Sequence, residues 1–358
     1  MDSTTNSPQP APQPAPRLTD VARQASVSPA TVSRVLNRSG VVNARTRERV
    51  MAAIAELGYV HSPSSPSPEN EPAAATQTIA IFITDILNPI FPEVLRGIED
   101  EIGTQPIAMQ IHNVPENAPT EKLPRSVLAR HKADGVIAFA SHIEESDLQA
   151  IHAQGLPLVV LNRRVQHPSI PCIVVDFEDA AFRSAQHLIG LQHRRLGFLA
   201  GLGSSPTALA RKHGIERALA TVGESLASNR VLHSFPSIEG GFQAMSALLA
   251  LPQHERPTAV ITYNDLLAFG ALHAIRAHGL SAPEDISVVG CDGITLAAHS
   301  NPPLTTIDQP KYKMGRLAMQ LLAKLMQKEA DANSGGYTLM ESPLLIRGST
   351  SVAHEHSN

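Results

Sequence analysis

The chain has no tryptophan, few aromatic residues, only two cysteines and no long apolar run. Each shortage excludes something. Without a stretch of 18 or more apolar residues, no membrane span is expected. Cys172 and Cys291 lie far apart in sequence, which fits a reducing, cytoplasmic compartment without structural disulfides. Residues 1–16, MDSTTNSPQPAPQPAP, lack the basic and apolar regions of a secretory signal and read as a disordered, Pro-rich tail. The motifs of several enzyme classes are also missing. There is no HExxH, no G-x-S-x-G elbow, no Walker lysine and no dinucleotide fingerprint. The 16 histidines are scattered, apart from an H-x-H at 354–356, and show no metal-ligand spacing. No catalytic residue, metal or cofactor is expected, and an enzyme is disfavoured.

What is present divides the 358 residues into blocks. Between Arg17 and Tyr59, seven Arg oppose Asp20, Glu48 and Glu56, a net of +4 within a chain of net charge −4. A small basic module on a larger acidic one points to nucleic acid. Residues 17–60 show helical periodicity and no strand-like run. Residues 61–77 hold Pro63, Pro66, Pro68 and Pro72 among Ser, Glu and Asn, which reads as a linker. From 78 to 350 the texture is α/β. Apolar runs at 79–84, 134–140, 156–162, 172–176, 195–201, 258–265 and 286–292 alternate with amphipathic helices. That alternation predicts two doubly wound parallel sheets facing a cleft, with ligands at the carboxyl ends of the strands. The expected N-lobe takes about 78–173 and 306–333; the C-lobe takes about 175–303 and 336–348, leaving a tail at 351–358.

The segment 18–37, LTDVARQASVSPATVSRVLN, reads as a helix, a tight turn at Ser26-Val27, and a second helix capped by Ser28 with Pro29 at its first position. A third helix at about 44–57 supplies Val50, Ile54 and Leu57 to a shared mini-core. Two helices joined by such a turn, with a supporting third, make a helix-turn-helix whose second helix enters the major groove.

These residues resemble the head of the lactose-repressor/galactose-repressor family. The resemblance continues through DILNPIFPEVLRGIEDEI, HRRLGFLAG, NDLLAFGAL, PEDISVVGCD and NPPLTTIDQP. It implies a transcription repressor with a helix-turn-helix head and a periplasmic-binding-protein-like sensor. A homodimer would bind a palindromic double-stranded DNA operator and answer to a small effector, most readily a carbohydrate. It also assigns roles. Arg34 matches the base-reading arginine, the commonest bidentate partner of guanine. Pro29 and Ala30 tune operator preference. Thr19, Thr31, Ser33, Asn37 and Thr46 match phosphate or positioning contacts, with Arg45 and Arg47 adding charge; Ser28 is a cap or a DNA contact.

Ligand residues follow in the same way. Asn264 and Asp292 end strands, Arg211 matches the effector-contacting arginine, and Asn162 and Arg163 follow another strand. Phe235 suits a sugar face, Asp85, Asn88 and Phe91 face them from the N-lobe, and Gln309 lies near a crossing between lobes. Other readings stay open: caps for Asn264, Asp292 and Asn88, an ion pair for Arg211, core packing for Phe235. A transport binding protein shares the sensor fold, but the DNA head and the missing signal oppose it. Two departures stand out. Ser26 occupies a turn position where family members hold Gly. The prolines of 61–68 replace the family's Leu-bearing hinge helix, which predicts weaker kinking of the operator centre and looser coupling of sensor to head.

Overall fold

A computed structural model describes residues 16–36, 42–57, 59, 77–114, 133–139, 143–203, 205–328 and 336–353. Asn37 and the expected hinge at 61–76 lie outside the described residues. The chain forms two compact units, Met1–Pro72 and Ala73–Asn358.

In the first unit, helices α1 (Leu18–Gln24), α2 (Pro29–Leu36) and α3 (Ala44–Leu57) enclose a small core. Val21, Ala22, Ala25, Val32, Val35, Val50 and Ala53 are buried there. α1 begins one residue before Thr19; Asp20 accepts a hydrogen bond from the Arg17 N–H at 2.9 Å and so closes the first turn. Thr19 therefore lies inside the helix, with Arg17 at the N-cap. α2 starts where Ser28 Oγ accepts from the Thr31 N–H at 3.2 Å, and α3 where Asn43 Oδ1 accepts from the Thr46 N–H at 2.8 Å.

The second unit contains two six-stranded sheets. Strands β1 (Gln77–Ile83), β2 (Ile107–Asn113), β3 (Gly135–Phe139), β4 (Leu158–Leu161), β5 (Pro171–Val175) and β11 (Gly336–Met340) form the first, in the order β11-β5-β4-β3-β1-β2. Strands β6 (Leu196–Ala200), β7 (Val231–His233), β8 (Ala259–Thr262), β9 (Ser287–Asp292), β10 (Thr305–Asp308) and β12 (Leu344–Leu345) form the second, in the order β12-β10-β9-β8-β6-β7. Among the described residues every pairing is parallel except β12 on β10.

Central strands such as LVVL of β4 are buried throughout because helices cover both faces. Alternate residues serve opposite layers. Ile79, Ile81 and Ile83 pack with α4 (Ile90–Ile102) and α10 (Lys311–Met326), while Ala80 and Phe82 pack with α5 (Glu145–Ala153). In the second sheet, Phe198 and Ile261 meet α6 (Phe177–Gly190) and α7 (Pro206–Ala220). Leu199 and Val260 meet α8 (Ile238–Leu249) and α9 (Asp265–Ala277) on the other face. Gly97 and Gly315 let α4 and α10 touch backbone to backbone, since a Cβ on either would collide with a carbonyl oxygen of the other helix.

The chain crosses between lobes three times, and here the expected lobe limits need correction. β5 keeps residues to Val175 in the first lobe. β10 keeps 305–308 in the second, because Thr306 and Ile307 pair with Gly290 and Cys291; only α10 returns to the first lobe. Residues 336–340, expected in the C-lobe, add β11 to the edge of the first sheet beside β5. Gln77 already belongs to β1. Nor is 351–353 a free tail: the Ser351 N–H donates to Ser287 Oγ at 3.0 Å and the Ala353 N–H to the Leu191 carbonyl at 2.8 Å.

Candidate functional site

On the head, α2 turns Val32 and Val35 inward and leaves Pro29, Ala30 and Arg34 exposed. Ala30 and Arg34 are four residues apart and share one helix face. Thr31 and Ser33 are half-buried on the same helix, and Thr31 Oγ1 lies 2.9 Å from Ser28 Oγ. Thr19 and Arg45 are exposed and Thr46 is half-buried. Ser26 has φ +52°, a left-handed conformation that favours glycine. Around it the Val27 N–H reaches the Ala22 carbonyl at 3.0 Å and the Ser26 N–H the Arg23 carbonyl at 3.1 Å. That pair of bonds is a Schellman ending for α1. Asn43 and Arg49, absent from the sequence-based set, complete the scaffold. The Asn43 signal was present in the sequence, an Asn directly before a helical pattern.

In the sensor, both sheets reverse strand order beside their first strand, between β1 and β3 and between β6 and β8. A cleft sits outside the carboxyl ends of these strands. Thr84, Asp85, Asn88, Ile90, Phe91, Phe139 and Asn162 line it from the first lobe. Phe177, Thr207, Arg211, Phe235, Pro236, Tyr263 and Asn264 line it from the second. Four of the nine phenylalanines and one of the four tyrosines of the chain are thus gathered at one site.

Arg211 is the centre of the C-lobe wall. Its guanidinium lies 3.9 Å from the Phe177 ring centre and 4.4 Å from that of Tyr263, a cation held between two aromatic faces. Nη1 donates to the Thr207 carbonyl at 2.9 Å and Nη2 to Cys291 Sγ at 3.5 Å, while Nε has no hydrogen-bond partner among the described residues. Burial pushes the Cys291 thiol up to about 11, so a neutral thiol faces Arg211. A hydroxyl relay runs beside it: Ser205 Oγ to Thr207 Oγ1 at 2.9 Å, and Thr207 Oγ1 to the Tyr263 hydroxyl at 3.0 Å. Asn264 is buried and caps α9, its Oδ1 accepting from the Leu267 N–H at 2.9 Å. Asn88 Oδ1 likewise accepts from the Ile90 N–H at 3.0 Å at the start of α4. Phe91 meets Phe139 edge to face at 5.0 Å, and Phe235 is 41% exposed at the mouth.

Seven of the expected ligand residues therefore line the cleft: Asp85, Asn88, Phe91, Asn162, Arg211, Phe235 and Asn264, with Asn88 also capping α4. Three do not. Arg163 turns away, donating to the Ile143 carbonyl at 2.5 Å with its second nitrogen 3.8 Å from Glu145. Asp292 and Gln309 are buried at the crossing between lobes, where Gln309 Nε2 donates to Asp292 Oδ1 at 2.7 Å. The Asp292 carboxyl is held well above the usual carboxylate range by burial and by the nearby Asp265 charge. Lys311 Nζ, also buried, collects the carbonyls of Asp292, Gly293 and Gln309 and the Asp308 carboxylate, all within 3.1 Å. Of the residues that the reading missed, Tyr263 and Phe139 carried the same strand-end position as Asn264 and Asn162, but as aromatics they look like core.

A three-helix head and a two-lobed sensor define a DNA-binding regulator that takes a small effector. The comparisons narrow this. Residues 17–62 match the model of bacterial regulatory proteins of the lacI family, and residues 185–350 match a periplasmic binding protein-like domain. The HTH-type transcriptional repressor CytR of Escherichia coli (strain K12) is 35% identical, covering 93% of this chain and 96% of its own. The catabolite control protein A of Priestia megaterium is 32% identical, over 87% and 92%. Among solved structures, a lac repressor dimer bound to operator and an anti-inducer is 29% identical. It covers 94% of this chain and all of its own, with a TM-score of 0.67. A complex of the regulator CelR with cellobiose matches at 29% identity, 93% and 99% coverage, and a TM-score of 0.68. The chain belongs to the lacI family: it is a DNA-binding transcriptional repressor and not an enzyme. No described helix is long and apolar enough to cross a membrane.

Proposed function

We propose that the chain acts in the cytoplasm as a homodimer on a palindromic operator, and that a sugar or sugar derivative in the cleft controls its hold on DNA. Arg34 reads a base edge from α2, beside Pro29 and Ala30. Thr19, Ser28, Thr31, Ser33, Asn37, Arg45 and Thr46 fix the register on the backbone. The observation that carries the ligand reading is the cleft wall itself. Arg211, Asp85, Asn162 and the Ser205–Thr207–Tyr263 relay offer polar groups of both signs beside the exposed Phe235 ring, which suits a hydroxyl-bearing ring. The cellobiose bound by CelR is such a molecule.

A second reading is favoured by the five aromatic rings: a derivative that carries a planar base, which stacks where a sugar only touches. Ligand shifts a two-state equilibrium by its differential affinity, so closure of the lobes changes DNA affinity by a coupling free energy. Thermal-shift titration with neutral sugars, nucleosides and free bases separates the two readings, since a bound ligand raises stability by mass action. Gel shifts on the chain's own upstream DNA test the whole. Binding that is neither sequence-dependent nor salt-sensitive refutes it.

A further inference from the structure

α1 ends in an arrangement that needs a left-handed residue, and the chain places Ser26 there instead of glycine. A side chain at that position strains the turn. The same turn leaves the carbonyls of Ala25 and Ser26 beyond the last helical bond. Arg49, on α3, reaches both. Its Nη2 donates to the Ala25 carbonyl at 2.6 Å and to the Ser26 carbonyl at 2.9 Å, and its Nε donates to the Ala25 carbonyl at 3.2 Å. The guanidinium fork thus spans the turn between α1 and α2 from outside, with its charge at the carboxyl end of α1 where the helix dipole favours a cation. A second strut, Gln24 Nε2 to Glu56 Oε2 at 2.9 Å, joins α1 to α3 nearby.

We propose that Arg49 is a positioning residue for operator reading. It does not read DNA; it holds the Ser26 turn closed and thereby sets the angle at which α2 presents Ala30 and Arg34. Arg45 and Arg47 remain phosphate candidates, whereas Arg49 is committed to backbone carbonyls. The proposal rests on the operator-binding reading above, and the test keeps the two apart.

A duplex is first selected from random DNA by the wild-type full-length chain. Failure to enrich any sequence refutes the operator reading itself. On the selected duplex and a scrambled one, binding is then measured across a salt series for wild type, Arg49→Met, Arg49→Lys, Ser26→Gly and the double variant Ser26→Gly/Arg49→Met. Loss of a charge-assisted bond to the turn lowers specific affinity about tenfold in Arg49→Met. Arg49→Lys, which keeps the charge without the fork, falls between. Scrambled-duplex affinity and the salt slope stay as in wild type, because no phosphate contact is lost. Glycine relieves the turn, so the double variant recovers most of the specific affinity, while Ser26→Gly alone matches wild type. Three results overturn the proposal: specific affinity unchanged in Arg49→Met; equal loss on both duplexes with a shallower salt slope, the signature of a phosphate contact; or no recovery in the double variant.

Discussion

Replacing Asp265 by Asn removes a buried charge while keeping its shape. Asp265 is the first residue of α9, fully buried one position after the cleft residue Asn264. Burial pushes its carboxyl up from 3.8 to about 6, against hydrogen bonds from the Thr306 hydroxyl and the Ile294 N–H and the nearby Lys311 charge, which pull the other way. Those two bonds measure 2.6 and 2.9 Å. The folded protein binds this proton more tightly than the unfolded chain. The stability it brings is complete below about pH 4 and is lost as pH rises through about 6. A shift of about two units at 1.36 kcal/mol each is worth about 3 kcal/mol. An Asn keeps the acceptor for Ile294, and Thr306 can turn its hydroxyl to the Ile307 carbonyl, 3.3 Å away. The Asn side chain does not titrate, and without the Asp265 charge Asp292 ionises more easily, which acts in the same direction. Its melting temperature should therefore gain on wild type by about 4–6 °C between pH 4 and pH 7. Differential scanning calorimetry across that range is the assay, with the difference between the two proteins as the readout. A difference that is flat with pH, or that shrinks as pH rises, refutes the reasoning.

Other expectations concern the sites directly. Arg34→Ala should cost about 1–3 kcal/mol of operator affinity and relax preference at one base pair, read by competition among single-base operator variants; uniform loss would mark a phosphate contact. Ser28→Ala removes the α2 cap and should lower head stability by about 1 kcal/mol, seen as faster amide exchange at Thr31 and Val32. Arg211→Met should abolish the thermal shift given by whichever ligand stabilises wild type, while specific operator affinity without ligand is kept; an undiminished shift removes Arg211 from the site. Phe235→Ala, at the exposed mouth, should weaken the same ligand about tenfold or less in calorimetric titration, as loss of one stacking face implies.

The legibility of this fold in its sequence followed burial. β1, β3, β4, β5, β6, β8 and β9 are continuous apolar runs because helices cover both their faces. β2 (IAMQIHN) and β11 (GYTLM) are sheet edges with half-exposed or exposed side chains, so their runs are broken by polar residues and pass for loop. The three crossings were harder still. Nothing local in TTID or GYTLM says which of two equivalent sheets it joins; that depends on which edge is free. At the cleft, polar residues just past strand ends were readable from position alone. Asp292 and Gln309 had the right motif, but Gln309 turns to Asp292 beneath the cleft across 17 residues of chain, and Asp265, whose charge lies near Asp292, is further away still in sequence. Ser26 was readable as a strained turn. Its compensation by Arg49 was not, because a guanidinium 23 residues away leaves no periodic trace.

The edge strand β11 has a further consequence for the order in which the protein becomes usable. Synthesis runs from the head toward the carboxyl end, and the first sheet lacks its last strand until residues 336–340 are made. β12 and the Ser349–Ser351 bonds to β9 come later still. Neither lobe can be completed from a contiguous stretch of chain. The three helices of the head close on themselves within residues 18–57. A chain cut short by a premature stop or by proteolysis therefore keeps the residues of its DNA reader and loses the part that answers to a ligand.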